Sequence, residues 1–364
     1  VERVTPPPHR RPGRAAALAL AFALLAGATH AAAPPDGHGE ALGAVWLEVP
    51  GNPLLPLFDC PDWHCLGHTD PWVARGANGE LVAWFSTGGD RGGPVVGRAR
   101  VGANLALKLD PPDRPVLEAT EGVWDVHRET VSTRWDPDEA RWTMWYLGYA
   151  VSFFDDPGIG QARSLDEAGA AWDRPAAPIY RPDPDGWDFA FVTGPAFVEA
   201  PDGQWRLYYV GAGTTVGVGL LLSDDRGATW RPHPGNPVFE RDLASWDQGV
   251  LEPSVLFVDD GDGGRYLMWY AGYEEPLDLA TTPISIGLAT SSDGVAWTRS
   301  PHNPVLGPGA PGTWSDLRVV SPHVVVASDG SLLLFAHGQN RATGIDRALG
   351  RLGVWRSPGP GSTR

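Results

Sequence analysis

Cysteine is nearly missing: the 364-residue chain holds two, Cys60 and Cys65. With His64 and His68 they spell C-x3-H-C-x2-H, a spacing that matches no standard zinc module, and no second Cys pair exists to complete one. A local disulfide pinning the loop ahead of the first repeat is the favoured expectation, with metal binding as its rival. Positive charge is also scarce. Lys and Arg total 28 against 44 Asp and Glu, a net charge of −16. Nucleic acid, which selects basic grooves, is excluded as a partner on that ground, and anionic membrane surfaces are disfavoured. Long apolar runs are lacking too, apart from Ala15–Ala28 near the N-terminus, which is too short for a comfortable span. That run follows Arg10, Arg11 and Arg14 and leads to Ala31-Ala32-Ala33, the layout of an export signal. Residues 1–33 are therefore expected to be a signal peptide, with no lipidated Cys at the cleavage region, and the mature chain to be secreted or periplasmic. Whether Arg10-Arg11 is a twin-arginine signal the flanking residues leave open.

What the chain has in abundance is turn and strand chemistry: 46 Gly, 36 Pro and 10% aromatic residues. That composition favours an all-β fold. The clearest stretch runs from Trp246 to Trp297. A short strand begins at Glu252-Pro253-Ser254, an Asp/Gly turn follows, and an aromatic strand, Tyr266–Tyr270, ends on Gly272. A third strand, Ile284–Thr290, then enters a Ser/Asp/Gly turn closed by Trp297. The same phrase opens at Trp63, Trp124, Trp187 and Trp314. Five copies of a four-stranded unit predict a five-bladed β-propeller, because a small sheet with two apolar faces buries both only by stacking on neighbours. The expected blades are 60–120, 121–183, 184–243, 244–310 and 311–358. The fifth lacks its last strand, which the segment 34–59, through Ala44–Val49, is expected to supply.

In a propeller the innermost strands line the central channel. Aligned by the repeat, their first positions are Asp70, Glu129, Thr193, Glu252 and Ser321. Three are carboxylates, and a carboxylate at the start of an apolar strand has to be paired, hydrogen-bonded or used. Acids sharing one funnel push their pKa values apart, the arrangement an acid/base pair needs. Backbone bonding across the channel, or a structural cation, is the bland alternative.

The chain resembles the five-bladed propeller enzymes of glycoside hydrolase families 43, 32, 62, 68 and 130. The carriers are Asp70-Pro71, Arg128-Glu129, Glu252-Pro253 and the recurring Asn-Pro-Val phrases at 236–238 and 303–305, and the likeness runs from about Cys60 to Trp355. The resemblance implies a glycosidase with Asp70 as base or nucleophile and Glu252 as acid. Glu129, as a third catalytic carboxylate, sits beside Arg128 where family 32 binds sugar hydroxyls. Two departures stand out. Thr193 occupies the blade-three position where family 43 has an acid-tuning Asp, so that Asp188 or Glu129 would have to substitute. The Asn-Asp-Pro signature of family 32 is replaced by His68-Thr69-Asp70-Pro71. Substrate binding is expected from Arg128, His127, His323, Asp188, Trp72 and Arg318, with Phe153 and Phe154 also at the mouth. No cofactor or resident metal is expected; the partner is a carbohydrate and the chain is expected to be monomeric. A phosphate-dependent phosphorylase, for which Arg128 and Arg318 are the available cations, and a non-catalytic sugar-binding propeller remain as alternatives.

Overall fold

The computed structural model describes residues 42–56, 63–64, 67–89, 92–118, 122–152, 154–259, 263–278, 280–341 and 350–357. The expected export segment, Cys60, Cys65 and Phe153 lie outside these residues. The described residues contain no helix; they form five antiparallel sheets set as five blades around a channel. From the channel outward, blade I comprises His68–Arg75, Leu81–Gly89, Gly92–Val101 and Leu107–Leu109, and blade II His127–Asp136, Arg141–Tyr149, Gly158–Ser164 and Trp172–Asp173. Blade III comprises Phe191–Glu199, Trp205–Ala212, Val216–Ser223 and Arg231–Pro232, with Phe239–Glu240 also paired to its third strand. Blade IV comprises Gly249–Val258, Arg265–Tyr273, Ser285–Ser291 and Thr298–Arg299. Blade V runs Arg318–Val326, Leu332–Gln339 and Arg351–Ser357, and its outer strand is Leu47–Glu48 from the other end of the sequence.

Local chemistry explains the repeat. Inner and second strands turn at Asn78-Gly79, Asp202-Gly203 and Asp329-Gly330, whose glycines have φ of 77°, 82° and 80°, the left-handed conformation a tight hairpin demands. The second strands are buried along almost their whole length and carry the large aromatics. These side chains fill the gaps between blades: Trp84 meets Trp142 edge-on at 4.6 Å, and Trp145 stacks on Phe197 at 4.3 Å. Each such ring contributes about 2–3 kcal/mol of burial.

The Trp-Asp pairs that open blades II, III and IV are latches. Asp125, Asp188 and Asp247 are each fully enclosed and accept a hydrogen bond from the second-strand hydroxyl of Tyr146, Tyr209 and Tyr270 at 2.7, 2.9 and 2.9 Å. The third-strand glycines Gly160, Gly219 and Gly287 lie against those same tyrosine rings, where a Cβ would come within 2.4, 2.3 and 2.6 Å. The Ser/Asp/Gly/Trp turn of blade III is also architectural. Ser223 and Asp225 bind the turn amides of Gly227 and Thr229, and Trp230 donates to Gln161 of blade II at 2.8 Å.

Candidate functional site

Each inner strand carries a bulge at the same place. Pairing to the second strand breaks between Thr69 and Trp72, Glu129 and Ser132, Thr193 and Ala196, Leu251 and Ser254, and Val320 and His323. Two residues then oppose one, and the strand kinks. The first residue of every bulge has positive φ: Asp70 50°, Thr130 49°, Gly194 57°, Glu252 43° and Ser321 52°. Only one of the five is glycine. The other four hold a conformation costly for L-residues, of order 1 kcal/mol each. What the bulge achieves is to turn these five side-chain positions onto the channel, where they line one funnel together with Pro71, Trp72, Val131, Pro195, Pro253 and Pro322.

The structural equivalents are therefore Asp70, Thr130, Gly194, Glu252 and Ser321. Glu129 and Thr193 stand one residue before the bulge in blades II and III, so the repeat alignment matched them to the bulge residues of the other three blades one position out of register. The signal was present for blade III: Pro71, Pro195, Pro253 and Pro322 follow the bulge residue in four blades, and aligning them places Gly194 correctly, whereas blade II carries Val131 there and offers no such mark.

Asp70, Ser321 and Glu252 form one series of contacts. The Ser321 hydroxyl is 2.7 Å from Asp70 Oδ1 and also touches Glu252 Oε2. Thr69 donates to the other Asp70 oxygen at 2.9 Å, and the Asp70 amide donates to His337 Nδ1 at 3.3 Å. Glu252 packs against Gly194, whose missing Cβ would meet the Glu252 Cα and Cγ at 3.3 Å. Burial, then the Asp70 charge, pushes the Glu252 carboxyl up to about 8. Glu129, although outside the bulge, faces the same charge. Burial and Asp70 push it up to about 7, while a 2.9 Å bond from the Tyr149 hydroxyl opposes the rise. Burial holds His337 below the ordinary histidine value, so it stands neutral and accepts through Nδ1.

Several expected sugar ligands lie elsewhere. Arg128 is fully enclosed: it binds Asp125 at 3.0 Å and the Glu118 carbonyl, bracing blade II, and reaches no funnel surface. Asp188 is the blade III latch, holding Tyr209 and Tyr180 at 2.9 Å each. It therefore cannot substitute for a funnel acid. His323 is buried between blades, stacked on Trp72 at 3.8 Å and donating to the Val73 carbonyl at 2.7 Å; burial pushes it down to about 3. Trp72 borders the funnel but is 7% exposed and donates to the Thr133 carbonyl at 3.1 Å, so its ring is inter-blade packing. Arg318 is 3% exposed, its charge disfavouring protonation of His337. His127 is half-buried beneath Gly93 and tilted against Tyr149 at 5.3 Å, at the edge of the Glu129 environment. Ser321, which the repeat already placed on the channel, His337 at the end of the second strand of blade V, and Tyr149 complete the cluster; of these Tyr149 carried no mark in the sequence. Among the described residues no group of three or more His, Cys, Asp or Glu is placed to hold a metal ion.

No protein-family model matches the sequence, and no curated protein matches it. Solved structures do match in fold. BT0996 in its RGII complex is 20% identical, with a TM-score of 0.66 over 88% of this protein and 95% of that one. A structure from the GH130 family of mannoside phosphorylases, which contains glycoside hydrolases that target β-1,2 mannosidic linkages in Candida mannan, is 16% identical, with a TM-score of 0.65 over 91% and 98%. An N-acetylgalactosamine deacetylase from F. plautii bound to blood group B trisaccharide is 17% identical, with a TM-score of 0.62 over 86% and 95%. What these likenesses carry to the protein is the five-bladed ring itself.

Proposed function

We propose that the protein is an exported glycoside hydrolase that works with retention, Asp70 attacking as nucleophile and Glu252 serving as acid and then base. The observation that carries the reading is the single Ser321 hydroxyl in contact with both carboxyls. Two hydrogen bonds sharing one oxygen keep the nearest carboxyl oxygens within about 6 Å. Retaining enzymes place the pair about 5–5.5 Å apart, whereas inverting ones need about 6.5–9.5 Å to admit a water. That closeness favours the retaining sequence of events. Glu252, kept protonated by burial and the Asp70 charge, donates to the leaving glycosidic oxygen. Asp70 attacks the anomeric carbon from the opposite face, forming a glycosyl ester. Glu252, now ionised, takes a proton from water, which breaks the ester and returns both groups to their starting state. The glycosidase and phosphorylase names among the fold neighbours support a carbohydrate substrate. Phosphorolysis is disfavoured because Arg128 and Arg318 are enclosed and no other described cation lines the funnel.

The test is turnover of plant and microbial glycans by wild type, Asp70→Asn and Glu252→Gln, with the product anomer followed by proton NMR. Each variant should lose about 10³-fold or more, and the first product should keep the substrate's anomeric configuration. Wild-type rates in both variants would overturn the assignment, and an inverted product would overturn the nucleophilic role of Asp70.

A further inference from the structure

A serine hydroxyl carries one hydrogen and can donate to one acceptor at a time. Ser321 nevertheless lies within bonding reach of two carboxyl oxygens from different blades. If both carboxyls were ionised, one of them would face a hydroxyl lone pair at hydrogen-bond distance, a repulsion added to that between the two charges. The contact is satisfied when one carboxyl is protonated: that O–H donates to Ser321 Oγ, and Ser321 O–H donates to the other. Asp70 accepts from Thr69 as well and is the better seat for the charge; Glu252 is lodged against Gly194, where burial and the Asp70 charge outweigh the bonds it receives from Ser321, and is the seat for the proton.

We propose that Ser321 is a positioning residue that holds one proton across the Asp70–Glu252 pair and keeps it on Glu252. The same hydroxyl links the two groups for transfer. From the unproductive arrangement, with Asp70 protonated and Glu252 ionised, the Asp70 proton passes to Ser321 Oγ as the Ser321 hydrogen passes to Glu252. Two O–H bonds break and two form, the serine is regenerated, and net charge is unchanged. An entering glycosidic oxygen then replaces Ser321 as acceptor of the Glu252 proton. This role rests on the carboxylate pair proposed above, but its test needs no substrate.

The backbone supplies suitable variants. Ser321 has φ of 52°, and the equivalent positions hold Gly194 and Thr130 at 57° and 49°, so Ser321→Gly relieves strain while deleting the hydroxyl, and Ser321→Thr retains it at a φ that threonine already adopts in blade II. Carboxyl-carbon NMR of the full-length protein, labelled at Asp and Glu, would follow both groups through pH. In wild type the pair should titrate in two separated steps with one proton held between them, resolved by residue from Glu129, which faces the same Asp70 charge, and with His337 neutral beside Asp70. In Ser321→Gly the upper step should fall by about one pH unit, the loss of a charge-assisted bond to the singly protonated pair, and Ser321→Thr should restore it. An unmoved upper step in a folded Ser321→Gly protein would overturn the proposal, as would an equal fall in Ser321→Thr, which would show that packing and not the hydroxyl matters. Because the readout is the free protein, absence of glycosidase activity would count against the function without touching this result.

Discussion

Replacing Glu252 by Gln should make the protein more stable than wild type at alkaline pH and leave it equal at acid pH. Burial and the Asp70 charge raise the folded-state carboxyl to about 8, against 4.5 as its ordinary value. Between those two values the folded protein keeps a proton that the unfolded one releases, so wild-type stability falls as pH rises through the window. The displacement of about 3.5 pH units corresponds to about 5 kcal/mol at full expression, since one unit is 1.36 kcal/mol. Water entering the open funnel would relieve part of the burial cost, which brings the expectation to about 3–5 kcal/mol. A neutral Gln carries none of this penalty and can still bond to Ser321. Urea unfolding of both proteins at pH 5, 7 and 9 measures the difference directly. Taking the difference also cancels most of the self-repulsion of a molecule with net charge −16, from which Gln removes a single unit. The two curves should coincide near pH 5 and separate by several kcal/mol at pH 9. A gap that stays constant across this range would refute the claim that Glu252 is held neutral by its surroundings.

Two further outcomes separate architecture from chemistry. Arg128→Leu should cost about 3–5 kcal/mol, because Asp125 is left enclosed with one buried partner removed, while KM for a hydrolysed glycan stays unchanged in the folded fraction; denaturant unfolding and steady-state kinetics check the two halves. Gly219→Ala should cost about 1–3 kcal/mol, since its Cβ would meet the Tyr209 ring at 2.3 Å and that ring is pinned by the bond to Asp188; the urea midpoint reads it.

The five-bladed ring is legible because its determinants are local and repeated: Trp-Asp latches, aromatic second strands ending in glycine, and third-strand glycines spaced to receive a tyrosine. Asp70 and Glu252 are legible for the same reason, each standing before a proline at a strand start. What stays hidden depends on geometry that no local pattern records. A slip of one exchanges a channel position for its neighbour, and blade II, with Val131 in place of the proline of the other blades, carries no mark against it, which is how Glu129 is read where Thr130 belongs. Arg128 and Asp188 resemble ligands because isolated charges on strands read as functional. Their enclosure with Asp125 and with two tyrosines becomes visible only when blades are assembled. His323 differs from a rim histidine solely through Trp72 and the Val73 carbonyl, residues some 250 positions away in sequence.

The outer strand of blade V has a consequence for how the molecule is made. Leu47–Glu48 pairs with Arg356 and Trp355, Asn52 exchanges two 3.0 Å bonds with Val354, and Glu48 accepts from the Trp314 indole at 3.0 Å. Synthesis therefore yields one half of this clasp at the start and the other after some 300 further residues, and four blades can form before the fifth can close. Joining ends that far apart costs about 5 kcal/mol in conformational entropy, so the clasp is expected to form last and to open first. A nascent polypeptide stalled within blade V would expose the blade V–I seam, where His337 and Ser321 meet Asp70. Asp70, Ser321 and Glu252 would thus be brought together only when the ring is shut, which makes their meeting the final act of folding.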